Sequence, residues 1–234
     1  MRIAILGYGK MGKEIEAIAI ERNHIISHKI SSDEPLSEIT ETDIAIDFSL
    51  PELAKEHISY CLENQIPIVS GTTGWLEHYD EMVSLCEANN GSFIYASNFS
   101  LGVNLFFQLN KQLADLMRQQ ADYKVSIEET HHTEKKDTPS GTAISLANDI
   151  IDNSANSSWS LDKDAKDGVI PINALRIPNV KGRHTITYQS EIDRISVEHD
   201  AFNRKGFALG AVIAAEWLVN RKGVFTMNDV LNIG

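Results

Sequence analysis

Short, nearly continuous apolar runs alternate along the N-terminal part of the chain with longer segments whose apolar residues recur at helical spacing. Residues 2–6 read R-I-A-I-L, 43–49 read D-I-A-I-D-F-S, 66–70 read I-P-I-V-S and 92–96 read S-F-I-Y-A. Runs this short and this apolar suit strands buried on both faces of a parallel sheet. Between them, Ile15, Ile18 and Ala19, and later Ala54, Ile58 and Cys61, form the stripes of amphipathic helices. Pro51 stands where a helix can begin, because a proline there gives up no needed hydrogen bond. A strand over 24–30 and a helix over 77–88 complete the alternation. Strand and helix in strict succession predict a doubly wound α/β domain.

The pattern then changes. Residues 105–117 make an amphipathic helix, and 123–128 (Y-K-V-S-I-E) alternate polar and apolar as a half-buried strand does. Ala143, Leu146, Ala147 and Ile150 return to helical spacing, with Ser140 placed as N-cap. Residues 153–168 are rich in Ser, Asn and Asp and read as a surface loop. Strand-like alternation over 172–177, 184–189 and 194–199 joins 123–128 in a mixed four-stranded sheet. An apolar helix over 207–219 packs back on the first domain, and Thr226 with Asp229 forms a capping signal behind it. The expected division is residues 1–100 plus 206–234 as one domain and 101–205 as the other. No internal repeat is present.

A hydrophobic content of 42% and a charged content of 23% are those of a soluble globular protein. The net charge of -12 argues against nucleic acid as a partner, since that requires a basic face. No apolar run approaches membrane-spanning length. Cys61 and Cys86 fall on apolar helix faces and read as buried free thiols, which suits a cytoplasmic location. An acidic chain that binds an anion must gather positive groups locally. The candidates are His131, His132, Lys135 and Lys136, with Lys181, Arg183 and His184.

The first apolar run ends in Gly7-Tyr8-Gly9-Lys10-Met11-Gly12, a G-x-G-x-x-G between strand and helix. Gly7 permits the tight turn, Gly9 lets the backbone approach a pyrophosphate, and Gly12 lets helix and strand pack closely. Such a domain often carries an acidic residue after its second strand to hold a ribose. Here His28 and Lys29 stand at that strand's end and Asp33 comes late. Lys29 suits an extra phosphate, or simply solvent, so NADH and NADPH both remain open.

Residues 128–143 read E-E-T-H-H-T-E-K-K-D-T-P-S-G-T-A. The first amides of a helix lack internal partners and favour an anion. A carboxylate held at Gly141–Thr142, with His131, His132 and Lys135 beside it, is the physical reading. HExxH spacing and clustered cysteines are both lacking there, so no metal site is expected.

The H-H-x-x-K-x-D-x-P-S-G-T-A arrangement resembles the signature of the dihydrodipicolinate reductase family. The similarity implies an N-terminal Rossmann-type domain and an α+β domain for substrate and oligomerisation. It implies that His131 is an acid/base group and Lys135 a proton donor, and that His132, Gly141 and Thr142 bind a small dicarboxylate. It extends to D-F-S at 47–49, to Gly71-Thr72-Thr73-Gly74, and to Ala96, Ser97, Asn98 and Phe99, all on the cofactor side. Arg176 and Gly182-Arg183-His184 resemble the family's further substrate region. Also implied are reduction of 4-hydroxy-tetrahydrodipicolinate by NADH or NADPH, in lysine and diaminopimelate biosynthesis, and a homotetramer. The alternatives are a related amino-acid or sugar dehydrogenase and a catalytically silent dinucleotide sensor.

Overall fold

The computed structural model describes residues 1–31, 34–162 and 166–233, with the backbone alone at Glu38. Asp33 lies outside the described residues. The chain forms two compact units, residues 1–104 with 204–234, and residues 105–203.

The first unit begins with β1 (Arg2–Leu6), α1 (Lys10–Glu21), β2 (Ile25–Ile30), β3 (Ile44–Asp47) and α2 (Pro51–Glu63). It continues through β4 (Ile68–Ser70), α3 (Tyr79–Ala88) and β5 (Ser92–Tyr95), after which α4 (Leu101–Met117) leads into the second unit. That unit contains β6 (Lys124–His131), α5 (Gly141–Asp152), β7 (Ser158–Ser160), β8 (Val169–Arg176), β9 (Arg183–Gln189) and β10 (Arg194–Asp200). The chain then returns to the first unit with α6 (Lys205–Leu218), β11 (Gly223–Phe225) and α7 (Met227–Leu231).

The first sheet is parallel, in the order β11-β5-β4-β3-β1-β2. Its strands read as unbroken apolar runs because both faces are covered. Ile3, Ile5, Ile44, Ile46, Val69 and Ile94 pack with α1 and α6 on one face. Ala4, Leu6, Ala45, Ile68 and Phe93 pack with α2, α3 and Trp75 on the other. Close approach is built in at Gly210 of α6, where a Cβ would stand 1.7 Å from the carbonyl oxygen of Phe99. Thr226 and Asp229 form the expected capping box. Cys61 and Cys86 are buried free thiols, as expected, and burial pushes the pKa of both thiols upward.

The second sheet corrects the expectation of four strands. It has five, in the order β10-β9-β6-β8-β7, with β6 parallel to β8 and antiparallel to β9. The extra strand, β7, lies inside the segment read as a surface loop. Three residues, S-W-S, are too few to display a period of two, and only Trp159 packs on the core. The edge strand β11 was missed for the same reason of length. The strand expected to end at residue 128 runs on to His131. Its last residues are Glu129, Thr130 and His131, buried through partners on neighbouring strands rather than through apolarity.

Candidate active site and nucleotide cleft

One face of β6 carries Val125, Ile127, Glu129 and His131, because alternate residues of a strand share a face. The first two lie in the apolar core with Ala143, Leu146 and Ile150 of α5. At the strand end the same face turns polar, where α5 begins. Register places Glu129 opposite His184 of β9, and His131 beside Arg176 of β8. A two-residue sequence step and two strand pairings thus bring four chemical groups together.

Glu129 is the centre of this cluster and is fully buried. Its Oε1 accepts the backbone N–H of Ser140 at 3.0 Å and faces both terminal nitrogens of Arg176 at 3.3 Å. Its Oε2 lies 3.1 Å from Nδ1 of His131, out of line for an aligned hydrogen bond, so the contact is an ion-pair approach. Burial alone would raise the Glu129 carboxyl, but His131 and Ser140 outweigh it and hold the group at about 2. The residue was part of the sequence motif yet received no role from it. A carboxylate two residues before a candidate catalytic histidine on a strand was the available signal.

His184 has the opposite environment. Burial, and then the proximity of His131, lower it to about 4, so it is neutral near pH 7. Its Nε2 lies 3.1 Å from the Ser140 hydroxyl, whose oxygen already accepts the amide of Ala143 at 3.2 Å. The Ser140 hydroxyl thus ties His184 to the first turn of α5, and the N-cap is held from both sides. Ser140 is the N-cap of α5, as expected. A Cβ at Gly182 would stand 3.2 Å from Nε2 of His131, so the absence of a side chain leaves room for that ring. Arg183, by contrast, sits outside the cluster and pairs with Asp200 at 2.6 Å.

The loop after β6 is pinned by Arg176, which donates to the carbonyl of Asp137 at 2.6 Å and to the Thr138 hydroxyl at 3.0 Å. Lys135 is largely covered, and its ammonium lies 2.9 Å from Asp137. That ion pair holds the Asp137 carboxyl below its ordinary range. Nδ1 of His132 is buried with no partner among the described residues. At the start of α5, a Cβ on Gly141 would meet nothing within 4 Å, and Thr142 is partly exposed in the first turn. Open space before unpaired helix amides, flanked by His132 and Lys135, is what a small carboxylate requires. Glu129, His131 and His184 also bring three donor atoms within 4.8 Å of one another. Of the three, Glu129 already has a compensating positive charge in the Arg176 guanidinium.

In the first unit, a cleft of about 330 Å³ opens at the carboxyl ends of β1 and β3. These strands flank the point where the chain order of the sheet reverses, the usual ligand crevice of such sheets. It is lined by Gly7, Tyr8, Gly9, Phe48, Ser49 and His57, among others. Gly7 has φ +89°, and a Cβ there would meet the carbonyl oxygen of Phe48 at 2.3 Å. At Gly12 a Cβ would approach the Gly7 carbonyl oxygen at 2.5 Å. Gly9 differs, because nothing lies within 4 Å of its Cβ position. Its missing side chain leaves a cradle at the start of α1, the space a pyrophosphate needs. Met11 packs on the core and Lys10 is exposed beside this turn.

The remaining cofactor candidates divide by environment. Lys29 does not line the cleft; its ammonium lies 2.5 Å from Glu16 and over the ring of Tyr8. At Gly71, a Cβ would strike the Phe48 ring at 2.3 Å. The Thr72 hydroxyl is committed to Asp47 at 2.8 Å, whereas Thr73 is exposed. Ala96 is partly buried, Ser97 is exposed, and Asn98 closes a turn by accepting the Ser100 amide at 2.9 Å. The Phe99 ring is buried in the core against Phe48, 5.8 Å between centroids.

Comparison with known proteins places this geometry in a family. Residues 1–99 match the model of the dihydrodipicolinate reductase N-terminus, and residues 102–231 match that of its C-terminus. A 4-hydroxy-tetrahydrodipicolinate reductase of Christiangramia forsetii is 52% identical over 99% of this chain and 98% of its own. A dipicolinate-bound dihydrodipicolinate reductase from Paenisporosarcina has the same architecture. Its TM-score is 0.77 at 25% identity, over 97% of each chain. A probable dehydrogenase from Thermotoga maritima shares the fold alone, with a TM-score of 0.55 at 11% identity over 91% of this chain and 85% of its own. The chain belongs to the dihydrodipicolinate reductase family, and its activity is the NAD(P)H-dependent reduction of 4-hydroxy-tetrahydrodipicolinate.

Proposed function

We propose that the two units divide the reaction between them. Residues 1–104 with 204–234 hold the dinucleotide, and residues 105–203 hold the dicarboxylate substrate and mediate self-association. The observation that carries the substrate reading is the cluster around Glu129, with the open helix start at Gly141 beside it. Gly7 to Gly12 form the turn and α1 start that would receive the pyrophosphate, and Gly9 has the empty space for it. When bound, the nicotinamide supplies hydride.

The chain's own residues manage charge and protons. The free amides at Gly141 and Thr142, with His132, bind a substrate carboxylate. Lys135 stabilises negative charge on the dicarboxylate and stands ready to donate a proton. Its pairing with Asp137 keeps the ammonium near the loop until a substrate carboxylate competes for it. His131, beside the ionised Glu129, is the second proton-carrying group. Neutral His184 holds the helix cap and adds no competing cation.

The test is oxidation of NADH and, separately, NADPH after addition of freshly condensed pyruvate and aspartate semialdehyde. Turnover with at least one is expected; its absence with both, in protein that binds cofactor, refutes the substrate assignment. Lys29 is engaged by Glu16, so it is not free to meet the extra phosphate of NADPH while that pair holds. The proposed homotetramer is supported by the unpaired outer edge of β10 and the exposed Ile195 on it. Sedimentation should give about four times the 26.0 kDa chain mass; a monomer would remove this reading. The chain contains no helix long and apolar enough to cross a membrane among its described residues, and we place it in the cytoplasm.

A further inference from the structure

A second buried acid lies in the first unit, and the reaction described above does not use it. Asp47 closes β3 with no exposure to solvent. Four donors converge on its carboxylate. Ser49 at 2.6 Å and His57 at 2.9 Å reach Oδ1, while Ser70 and Thr72, each at 2.8 Å, reach Oδ2. A buried carboxylate must be satisfied in this way, and three hydroxyls already go far toward it.

His57 does something the hydroxyls cannot. It stands on the buried stripe of α2, between Ala54, Ile58 and Cys61, where an apolar residue is the ordinary choice. Asp47 fixes one edge of its ring. An ionised carboxylate only accepts, so Nδ1 carries the proton. The ring also forms part of the wall of the 330 Å³ cleft, together with Gly7, Tyr8, Gly9, Phe48 and Leu53. Nε2 has no partner among the described residues, and it is not one of the side-chain atoms sealed from solvent. The cleft thus contains an oriented acceptor set among glycines and apolar groups.

We propose that His57 is a cofactor-contacting residue whose Nε2 accepts a hydrogen bond from a ribose hydroxyl of the dinucleotide, with Asp47 as its positioning residue. The phosphates have their own donors in the free amides at the start of α1, which leaves a ribose hydroxyl as the partner for the unpaired ring nitrogen. Ser49, Ser70 and Thr72 act through Asp47, joining the ends of β3 and β4 to the orientation of one ring. This inference rests on the dinucleotide occupying the cleft, as proposed above.

The experiment is NADH binding to the full chain by calorimetry, alongside thermal midpoints, for His57→Asn, His57→Gln and Gly9→Ala. Asparagine preserves a donor near the Nδ1 position for Asp47 but ends short of the cleft. Glutamine reaches the position of Nε2. His57→Asn should weaken NADH about tenfold with a thermal midpoint close to that of the parent, and His57→Gln should recover part of the loss. Gly9→Ala, whose Cβ meets only open space in the free protein, should weaken NADH without altering the midpoint. Parental affinity in His57→Asn, with Gly9→Ala weakened, would overturn the inference and leave the cleft assignment standing. Parental affinity in both would overturn the cleft assignment as well. Weakened binding that tracks a lowered midpoint in both His57 variants would reduce His57 to a structural role and overturn the proposal.

Discussion

Replacing His131 or Lys135 by alanine is expected to lower kcat by about 10²–10⁴-fold while leaving NADH affinity within about twofold. Both residues lie in the second unit, in or directly after β6, and neither lines the cleft at the glycine turn. Their loss therefore removes charge and proton handling rather than cofactor contacts. The two variants should differ in detail. Lys135→Ala removes a cation from a partly exposed loop, so its fold should be unaffected and substrate KM should rise together with the fall in kcat. His131→Ala empties a buried position between Glu129 and Gly182, so some loss of thermal stability should accompany the loss of rate. Steady-state kinetics with calorimetric NADH titration read both effects. Unchanged kcat in both variants would remove the proton-handling assignment.

Glu129→Ala is expected to have the largest effect on stability, on the order of 3–5 kcal/mol, as when one partner of a buried ion pair is deleted. Arg176, the Ser140 amide and His131 would all lose the group they face. Glu129→Gln keeps an acceptor for the Ser140 amide and should cost less. The parent should also lose stability with acid in two windows. His184 is held at about 4, below the ordinary 6.5, so between these values the unfolded chain takes up a proton that the native state refuses. Stability is thus complete above about pH 6.5 and falls toward pH 4. Glu129 is held at about 2, so a second loss runs from about pH 4.5 downward, worth on the order of 3 kcal/mol when complete. Urea midpoints measured from pH 7.5 to pH 3 test this. The lower window should be weakened in Glu129→Gln, and an unchanged acid profile there would contradict the role of Glu129.

The local pattern was sufficient for much of the architecture. Continuous apolar runs identify strands covered on both faces, so β1, β3, β4 and β5 could be found from the sequence, as could the glycine turn after β1. Ser140 was legible as a cap because capping chemistry acts over three residues. The histidine–lysine and Ser-Gly-Thr motif carried the family resemblance, which the comparisons bear out. Three-residue edge strands escaped, since β7 and β11 are too short to express a period and depend on a neighbour for their hydrogen bonds.

The site's internal wiring was decided only in three dimensions. Nothing local pairs Glu129 with Arg176, 47 residues away, or His184 with Ser140, 44 residues away. Strand register decides which side chains share a face, and register follows from the whole sheet. The fate of Lys29 and Thr72 has the same origin: each has an eligible chemical group, and each is claimed by a neighbour that the linear sequence does not reveal. Sequence alone determined which chemical groups are present and which backbone turns can cradle an anion, because those properties belong to single residues and short spans. Tertiary structure decided which groups remain available, because a hydrogen bond or ion pair formed across the fold removes a side chain from competition for ligand.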